Sequence, residues 1–313
     1  MDRRKFLQST LAGGMSAAEL AAKKNSAIPK RLYRDNVELS IIGFGGIVVV
    51  GMEQPKADRT VAESYDRGIN YYDVAPTYWD GEAEIKLGIA LKPYRKKVFL
   101  ACKTVKRDAA GAAQELERSL QRLHTDYFDL YQFHGLTSMK DVDQILGPGG
   151  AAETFTKARK DGKARYLGFS AHHAEAALAL MERFPCDSVL FPINYVCYQE
   201  GGFGPQVVAK AKEKGVARLA LKALAHHPWP EGMKREQSKY PKCWYQPIDD
   251  REHARKALRF TLSEDVTAAI PPGDEGIYAM ALDLAAGFQP LTSAEREELL
   301  ASAKGTAPLF RAG

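Results

Sequence analysis

Long apolar runs are missing from this 313-residue chain. No stretch approaches the roughly 20 consecutive apolar residues that a membrane-spanning helix needs, so no such helix is expected and the mature protein is expected to be soluble. Cysteine is scarce: Cys102, Cys186, Cys197 and Cys243 are the only four. They lack the short paired spacings of zinc or iron–sulfur sites and do not form the framework of a small disulfide-stapled domain, so they read as core thiols. Charge of one sign is not concentrated either. The 44 basic and 39 acidic residues, for a net +5, are interspersed along the chain, which leaves no basic arm for nucleic acid.

The N-terminus has its own character. Asp2-Arg3-Arg4-Lys5-Phe6-Leu7-Gln8 has the form of a twin-arginine export motif, and the small-residue stretch Ser9 to Ala22 follows it, interrupted by Glu19. Residues 1–29 are therefore expected to be a twin-arginine signal or a flexible segment. Export implies a periplasmic protein, and an ordinary basic tail would leave it in the cytoplasm. The folded body is expected to occupy residues 30–313. It begins with a short hairpin in which Arg31 to Tyr33 and Val37 to Leu39 pair around Asp35-Asn36.

Beyond the hairpin, a brief β-branched or aromatic run followed by a helix-period segment recurs eight times. Predicted strands are Ser40 to Phe44, Ile69 to Tyr72, Val98 to Lys103, Tyr127 to Phe133, Arg165 to Phe169, Ser188 to Asn194, Ala217 to Lys222 and Val266 to Ile270. Predicted helices include Arg59 to Arg67, Ala109 to Leu123, Ala174 to Phe184, Gln206 to Lys214 and Arg251 to Leu262. Such alternation implies parallel strands with crossover helices, because parallel neighbours cannot be joined by a tight turn. Eight units favour an α/β (β/α)8 (TIM) barrel. An open doubly wound sheet would carry a G-x-G-x-x-G turn opening a helix after its first strand, whereas this chain has Gly43-Phe44-Gly45-Gly46.

In such barrels the reacting groups sit at the C-terminal ends of strands and just beyond. Asp73, Lys103 and His134 end the second, third and fourth predicted strands, and Tyr78 lies five positions after Asp73. Singly, each has a bland role: a turn cap, a snorkelling lysine, a core histidine, a packing tyrosine. Together they bring a carboxylate, an ammonium, an imidazole and a phenol to one rim. A lysine ending a buried strand needs a partner, and Asp73 on the neighbouring strand supplies one. A free phenol, with a pKa of about 10, is a weak acid at neutral pH. A nearby ammonium favours the phenolate, so Lys103 is expected to lower the pKa of Tyr78 and let it protonate a carbonyl oxygen as hydride arrives, with His134 orienting that oxygen.

At these residues the sequence resembles the aldo-keto reductases, on Asp73-Val74-Ala75-Pro76-Thr77-Tyr78, Ala101-Cys102-Lys103-Thr104 and Tyr131-Gln132-Phe133-His134. The resemblance runs from about Leu39 to about Leu300, through Leu39 to Gly46, Gly162 to Ser170 and Pro290 to Glu295, the last with Thr292 and Glu295 at capping-box spacing. It implies an NAD(P)(H)-dependent oxidoreductase with Asp73, Tyr78, Lys103 and His134 as the catalytic set. It further implies that Gly45 and Gly46 let the nicotinamide ribose approach, that Asp73 and Gly273 belong to the cofactor site, and that Ser170 binds the carboxamide.

Several family positions are substituted. Ala171 stands for the asparagine after that serine, Phe191 for the glutamine of the sixth strand, and Leu221 for the aromatic that stacks on nicotinamide. His172, Asn194 or Lys222 can restore lost hydrogen bonds. The pairs His172-His173 and His226-His227 suggest a metal, but the first strand offers no ligand and strands five to eight offer no clear carboxylate, so none is expected. Trp79, His172, His226 and Trp229 are expected to line the substrate pocket, beneath the long loop Ala225 to Ile248 that also carries Trp244. The expected partner is a small carbonyl or alcohol, with sugars among the candidates. Two other classes remain open: a nicotinamide-binding sensor or scaffold without turnover, and a metal-dependent barrel acting on sugars. After the eighth strand, Asp274 and Glu275 stand where relatives that prefer NADPH carry cations, and Lys222 is the one nearby lysine in sight.

Overall fold

The computed structural model describes residues 27–312. The twin-arginine-like stretch from Asp2 to Ala22 lies outside them. Strands β1 (Lys30–Arg34) and β2 (Val37–Ser40) form the antiparallel hairpin, with Arg31 opposite Leu39 and Asp35 at φ 52° in the turn. Eight parallel strands follow: β3 (Phe44–Gly45), β4 (Tyr71–Asp73), β5 (Phe99–Thr104), β6 (Phe128–Leu136), β7 (Ala164–Ala171), β8 (Ser188–Pro192), β9 (Ala217–Leu221) and, after a small second hairpin of β10 (Ala225–His227) with β11 (Gln246–Pro247), β12 (Ala268–Ile270). They pair in chain order, and a parallel bridge between Ile42 and Ala269 joins the last strand to the first. The ring is thus the (β/α)8 barrel that the eightfold alternation implies.

The first strand is shorter than its apolar run suggests. A Cβ on Gly43 would lie 2.6 Å from the Tyr71 ring, so the chain runs hard against its neighbour there, and regular pairing with β4 is confined to Phe44 and Gly45. Helices fill the crossovers. Gln54–Asp66, Ala109–Arg122, Ala174–Arg183, Pro205–Glu213 and Arg251–Ser263 match five predicted ones within a few residues, and Glu82–Leu91, Met139–Leu146, Ala151–Lys160 and Glu275–Ala286 add to them. The helix Ser293–Ser302 opens on the expected capping box of Thr292 and Glu295.

Strand periodicity sorts the core into two layers. On β5, Leu100 and Cys102 face outward and join the helix–sheet layer, whereas Phe99 and Ala101 face the lumen with Tyr71, Leu130, Tyr166, Leu190 and Leu219. The hairpin's Tyr33 and Leu39 belong to that inner cluster and stopper the barrel at the N-terminal ends of its strands. Moving up the lumen, each row changes from apolar to polar: Tyr71 to Asp73, Ala101 to Lys103, Leu130 to Gln132. The apolar floor gives the stability, and the polar top is left for chemistry. Among the described residues no helix is long and apolar enough to cross a membrane.

Candidate active site

At that polar end lies a cavity of about 660 Å³, lined by Asp73, Tyr78, Lys103, His134, Ser170, His172, Leu221, Lys222 and Gly273 among others. Asp73 and Lys103 are 2% and 0% exposed, and the Lys103 ammonium is hydrogen-bonded to Asp73 Oδ1. It also donates to the Val74 carbonyl at 3.1 Å. The other Asp73 oxygen accepts from the Tyr71 hydroxyl at 3.2 Å and from Gln132 Nε2 at 3.1 Å. Asp73 ends β4 opposite Ala101, and Lys103 stands two residues further along β5 on the same face, so parallel pairing brings its ammonium within reach of the carboxylate.

Tyr78 opens the turn after β4, and its ring centroid is 5.4 Å from Lys103 Nζ and 5.7 Å from the His134 ring, which it meets edge to face. Trp79 and Asp80, which follow it, are both left-handed at φ 49° and 52°. Two successive non-glycine residues in that region are uncommon and are held only where the surroundings over-determine them. Arg235 contributes here, with its guanidinium 5.6 Å from the Trp79 ring and 4.7 Å from that of Trp244.

The electrostatics differ from the sequence expectation in one respect. Burial raises the pKa of Tyr78 and outweighs the opposing pull of Lys103, so the phenol is held above its ordinary value. The ammonium limits the rise without reversing it. His134 is pushed well below its ordinary value by burial and then by Lys103, His172, Arg107 and Lys222, so it is a neutral imidazole at physiological pH. Its backbone is braced from outside: Arg107 Nη2 donates to the His134 carbonyl at 2.9 Å while Nε donates to Asp141 at 2.8 Å. The next residue, Gly135, is left-handed at φ 63° and donates its N–H to Ser170 Oγ at 2.8 Å. That bond leaves the Ser170 hydroxyl proton free to donate into the cavity.

Other expected site residues are distributed unevenly. Ser170, His172, Leu221, Lys222 and Gly273 line the cavity. Phe191 does not: it is outward-facing, 1% exposed and stacked on Phe203 at 4.7 Å, because Ser188 and Leu190 hold the lumen parity of β8. Gly45 and Gly46 are also absent from the lining, and Ile47 takes their place. Their missing side chains serve packing, since a Cβ on Gly46 would lie 2.7 Å from Val74 Cγ2 and one on Gly45 3.1 Å from Ile270.

Of the pocket candidates, only His172 reaches the lining. Trp79 stays at the rim on Arg235. His226 faces His227 and His253, and Trp229 pins the long loop by donating to the Cys243 carbonyl at 2.9 Å. Trp244 of that loop lines the cavity, as its place in the long loop suggests, and Tyr245 beside it and Leu309 and Phe310 from the C-terminal segment form walls that the sequence does not announce. Phe310 stacks on His172 and Phe203. Among the described residues no group of three or more His, Cys, Asp or Glu side chains is arranged to hold a metal. His173 is instead a helix cap, its Nδ1 accepting from Ala176 N.

Comparison with known proteins places this geometry. The model of the aldo/keto reductase family matches residues 41–264. The aldo-keto reductase YhdN of Bacillus subtilis is 30% identical over 205 residues, covering 60% of this chain and 59% of that protein. The holo form of an aldo-keto reductase from Bacillus halodurans superposes with a TM-score of 0.70 at 26% identity, covering 90% of this chain and 98% of that one. A Klebsiella pneumoniae aldo-keto reductase solved in complex with NADPH shares the fold at 21% identity, with a TM-score of 0.67 and coverage of 91% and 98%. The chain spans 48% and 59% of the length of the first two curated relatives it matches.

Proposed function

This chain belongs to the aldo/keto reductase family, and we propose that it is an oxidoreductase interconverting a small carbonyl compound and its alcohol with a nicotinamide dinucleotide, Tyr78 being the general acid and base. The observation that carries this reading is the convergence of Tyr78, the Lys103–Asp73 pair and a neutral His134 on one cavity.

The residues present fit such a cofactor. Ser170 offers a hydroxyl donor, Leu221 and Ile47 offer apolar surface, and Gly273 lines the cavity with bare backbone, its missing side chain letting Ile47 pack against it, since a Cβ there would lie 2.2 Å from Ile47. When bound, the nicotinamide supplies hydride to the carbonyl carbon. The protein supplies the rest. Burial keeps the Tyr78 phenol protonated, ready to donate to the carbonyl oxygen. Lys103, anchored by Asp73, stabilises the phenolate that remains. Neutral His134 can hydrogen-bond the same oxygen without introducing a second cation. Titration of purified protein with NADH and NADPH, followed by turnover on a panel of aldehydes and ketones, tests the reading. Nicotinamide binding without turnover on any carbonyl would instead leave a sensor or scaffold.

NADPH is expected to hold at most a small advantage over NADH. Asp274 caps the helix Glu275–Ala286 through Gly276 N at 2.9 Å and Ile277 N at 3.0 Å, so a carboxylate already occupies the end where a phosphate would be welcomed. The sequence reading saw Lys222 as the only nearby lysine, but Lys56 and Lys242 also approach here. Both are engaged by Glu275, Lys242 at 3.7 Å. Dissociation constants for the two cofactors at low and high salt check this. A roughly hundredfold NADPH preference, about 2.7 kcal/mol, that collapses with salt would show a working phosphate clamp.

A further inference from the structure

Three lysines line the cavity, and they are not equivalent. Lys103 is neutralised by Asp73, and Lys242 donates to the Val48 carbonyl at 3.0 Å and faces Glu275. Lys222 has no carboxylate acting on it among the described residues, and its ammonium rests 4.7 Å from the centroid of the Tyr245 ring. The groups facing it are His134 from β6, His172 from β7, Cys197 from the helix Tyr195–Gly201, and Cys243 and Tyr245 from the covering loop. None is an anion in its ordinary neutral-pH form. A cation partly withdrawn from water without a counterion is costly, and burial lowers its pKa to about 8.

The backbone is built to keep Lys222 where it is. Its φ is 70°, in the left-handed region that a residue with a side chain seldom occupies. Asn194, 1% exposed, donates from Nδ2 to the Lys222 carbonyl at 3.0 Å and to the Ala225 carbonyl at 2.6 Å. Its Oδ1 accepts from Val196 N and Cys197 N at 2.9 and 3.1 Å. The whole hydrogen-bonding capacity of one buried side chain is thus spent fixing this turn to the first turn of the helix Tyr195–Gly201.

We propose that Lys222, positioned by Asn194, is an oxyanion-binding site within the active-site cavity that takes a phosphate or carboxylate oxygen of a bound ligand. This rests on the oxidoreductase reading insofar as the ligands are those of that reaction. Two sources share the chemistry: the diphosphate of the dinucleotide and an anionic group carried by the carbonyl substrate.

The test uses the full chain and its Lys222→Met, Lys222→Arg and Asn194→Ala variants. Binding of NADH, NADPH and inorganic sulfate is titrated, and kcat/KM is compared for benzaldehyde and 4-carboxybenzaldehyde. If the dinucleotide is the source, Lys222→Met weakens NADH and NADPH alike by about tenfold or more, a loss of about 1.4 kcal/mol. If the substrate is the source, cofactor affinity holds while the preference for the carboxylated aldehyde falls by a similar factor. A loss confined to NADPH also supports the site and moves the contact to the 2′-phosphate. Lys222→Arg should restore binding, and it separates lost charge from lost fold. Binding by the parent should weaken as pH rises through about 8, the value to which burial lowers Lys222 before ligand binds, while the arginine variant stays flat because its charge persists. Asn194→Ala should reproduce part of the loss while the carboxylated and neutral ligands remain distinguishable. Parent-like affinities and aldehyde preference in Lys222→Met would overturn the proposal. If the parent binds no nicotinamide, the functional reading fails, and sulfate binding still decides Lys222.

Discussion

Tyr78→Phe is expected to fold like the parent and to bind the nicotinamide with unchanged affinity, yet to lose about two to four orders of magnitude in turnover, the range for a positioned general acid. The substitution removes one oxygen. The ring that meets His134 edge to face at 5.7 Å remains, as does the Lys103–Asp73 pair beneath it. Packing at Tyr78 is therefore nearly preserved, and the thermal midpoint should stay within the small range of a conservative change. The lost quantity is the proton. With burial holding the Tyr78 phenol above its ordinary pKa, the parent presents a protonated acid at neutral pH, and phenylalanine offers none. Neutral His134 is a poor substitute, since it carries no extra proton to give until pH falls far below its usual titration range. Single-turnover measurement with pre-bound cofactor isolates the chemical step from release. Parent-like turnover would remove Tyr78 from the chemistry.

The barrel and the convergence of Asp73, Lys103 and His134 were legible because both depend on local periodicity. A strand run of alternating faces, ending in a polar residue, states by itself which side chain crowns the lumen. Phe191 was misplaced by a single position. The same parity would have set it right, since Ser188 and Leu190 share the face of Ser170 across β7 and β8. The net pKa of Tyr78 was not legible. The spacing of Asp73, Tyr78 and Lys103 announces a cation beside a phenol, but burial depends on how the covering loop and the C-terminal segment close over it.

Those covering pieces lack a periodic signal altogether. Nothing in the loop between β10 and β11 tells that Trp244 faces the cavity while Trp229 turns to the Cys243 carbonyl. Phe310 arrives through a tail in which Ala312 N donates to the Gly201 carbonyl, a contact between segments far apart in the chain. Lys242 and Lys56 meet Glu275 in the same non-local way. Contacts of this range follow from the closed fold and not from any window of sequence.

Lys103→Met should damage both stability and activity, and the two losses can be told apart. Methionine fills similar space but leaves the Asp73 carboxylate, 2% exposed, with only Tyr71 and Gln132 as donors. Stranding one member of a buried ion pair costs about 3–5 kcal/mol, a large part of the 5–15 kcal/mol that holds a typical domain together. Denaturant titration reads that loss directly. In the parent, burial pulls the pKa of Lys103 down, but Asp73 and Tyr78 outweigh this and hold it above the ordinary value. A cation whose folded pKa is raised stabilises the fold below its unfolded value, about 10.4, and loses that contribution as pH climbs through the folded value. The parent should therefore weaken on the far alkaline side in a way the variant does not. Lys103→Met combined with Asp73→Asn should recover much of the stability, because no buried charge is then left alone. It should not recover turnover, and whatever activity remains should shift to higher pH, since burial of Tyr78 is no longer opposed by the ammonium. A double variant that regains both stability and turnover would show that the pair serves the fold alone, whereas an unchanged pH profile in the single variant would detach Lys103 from Tyr78.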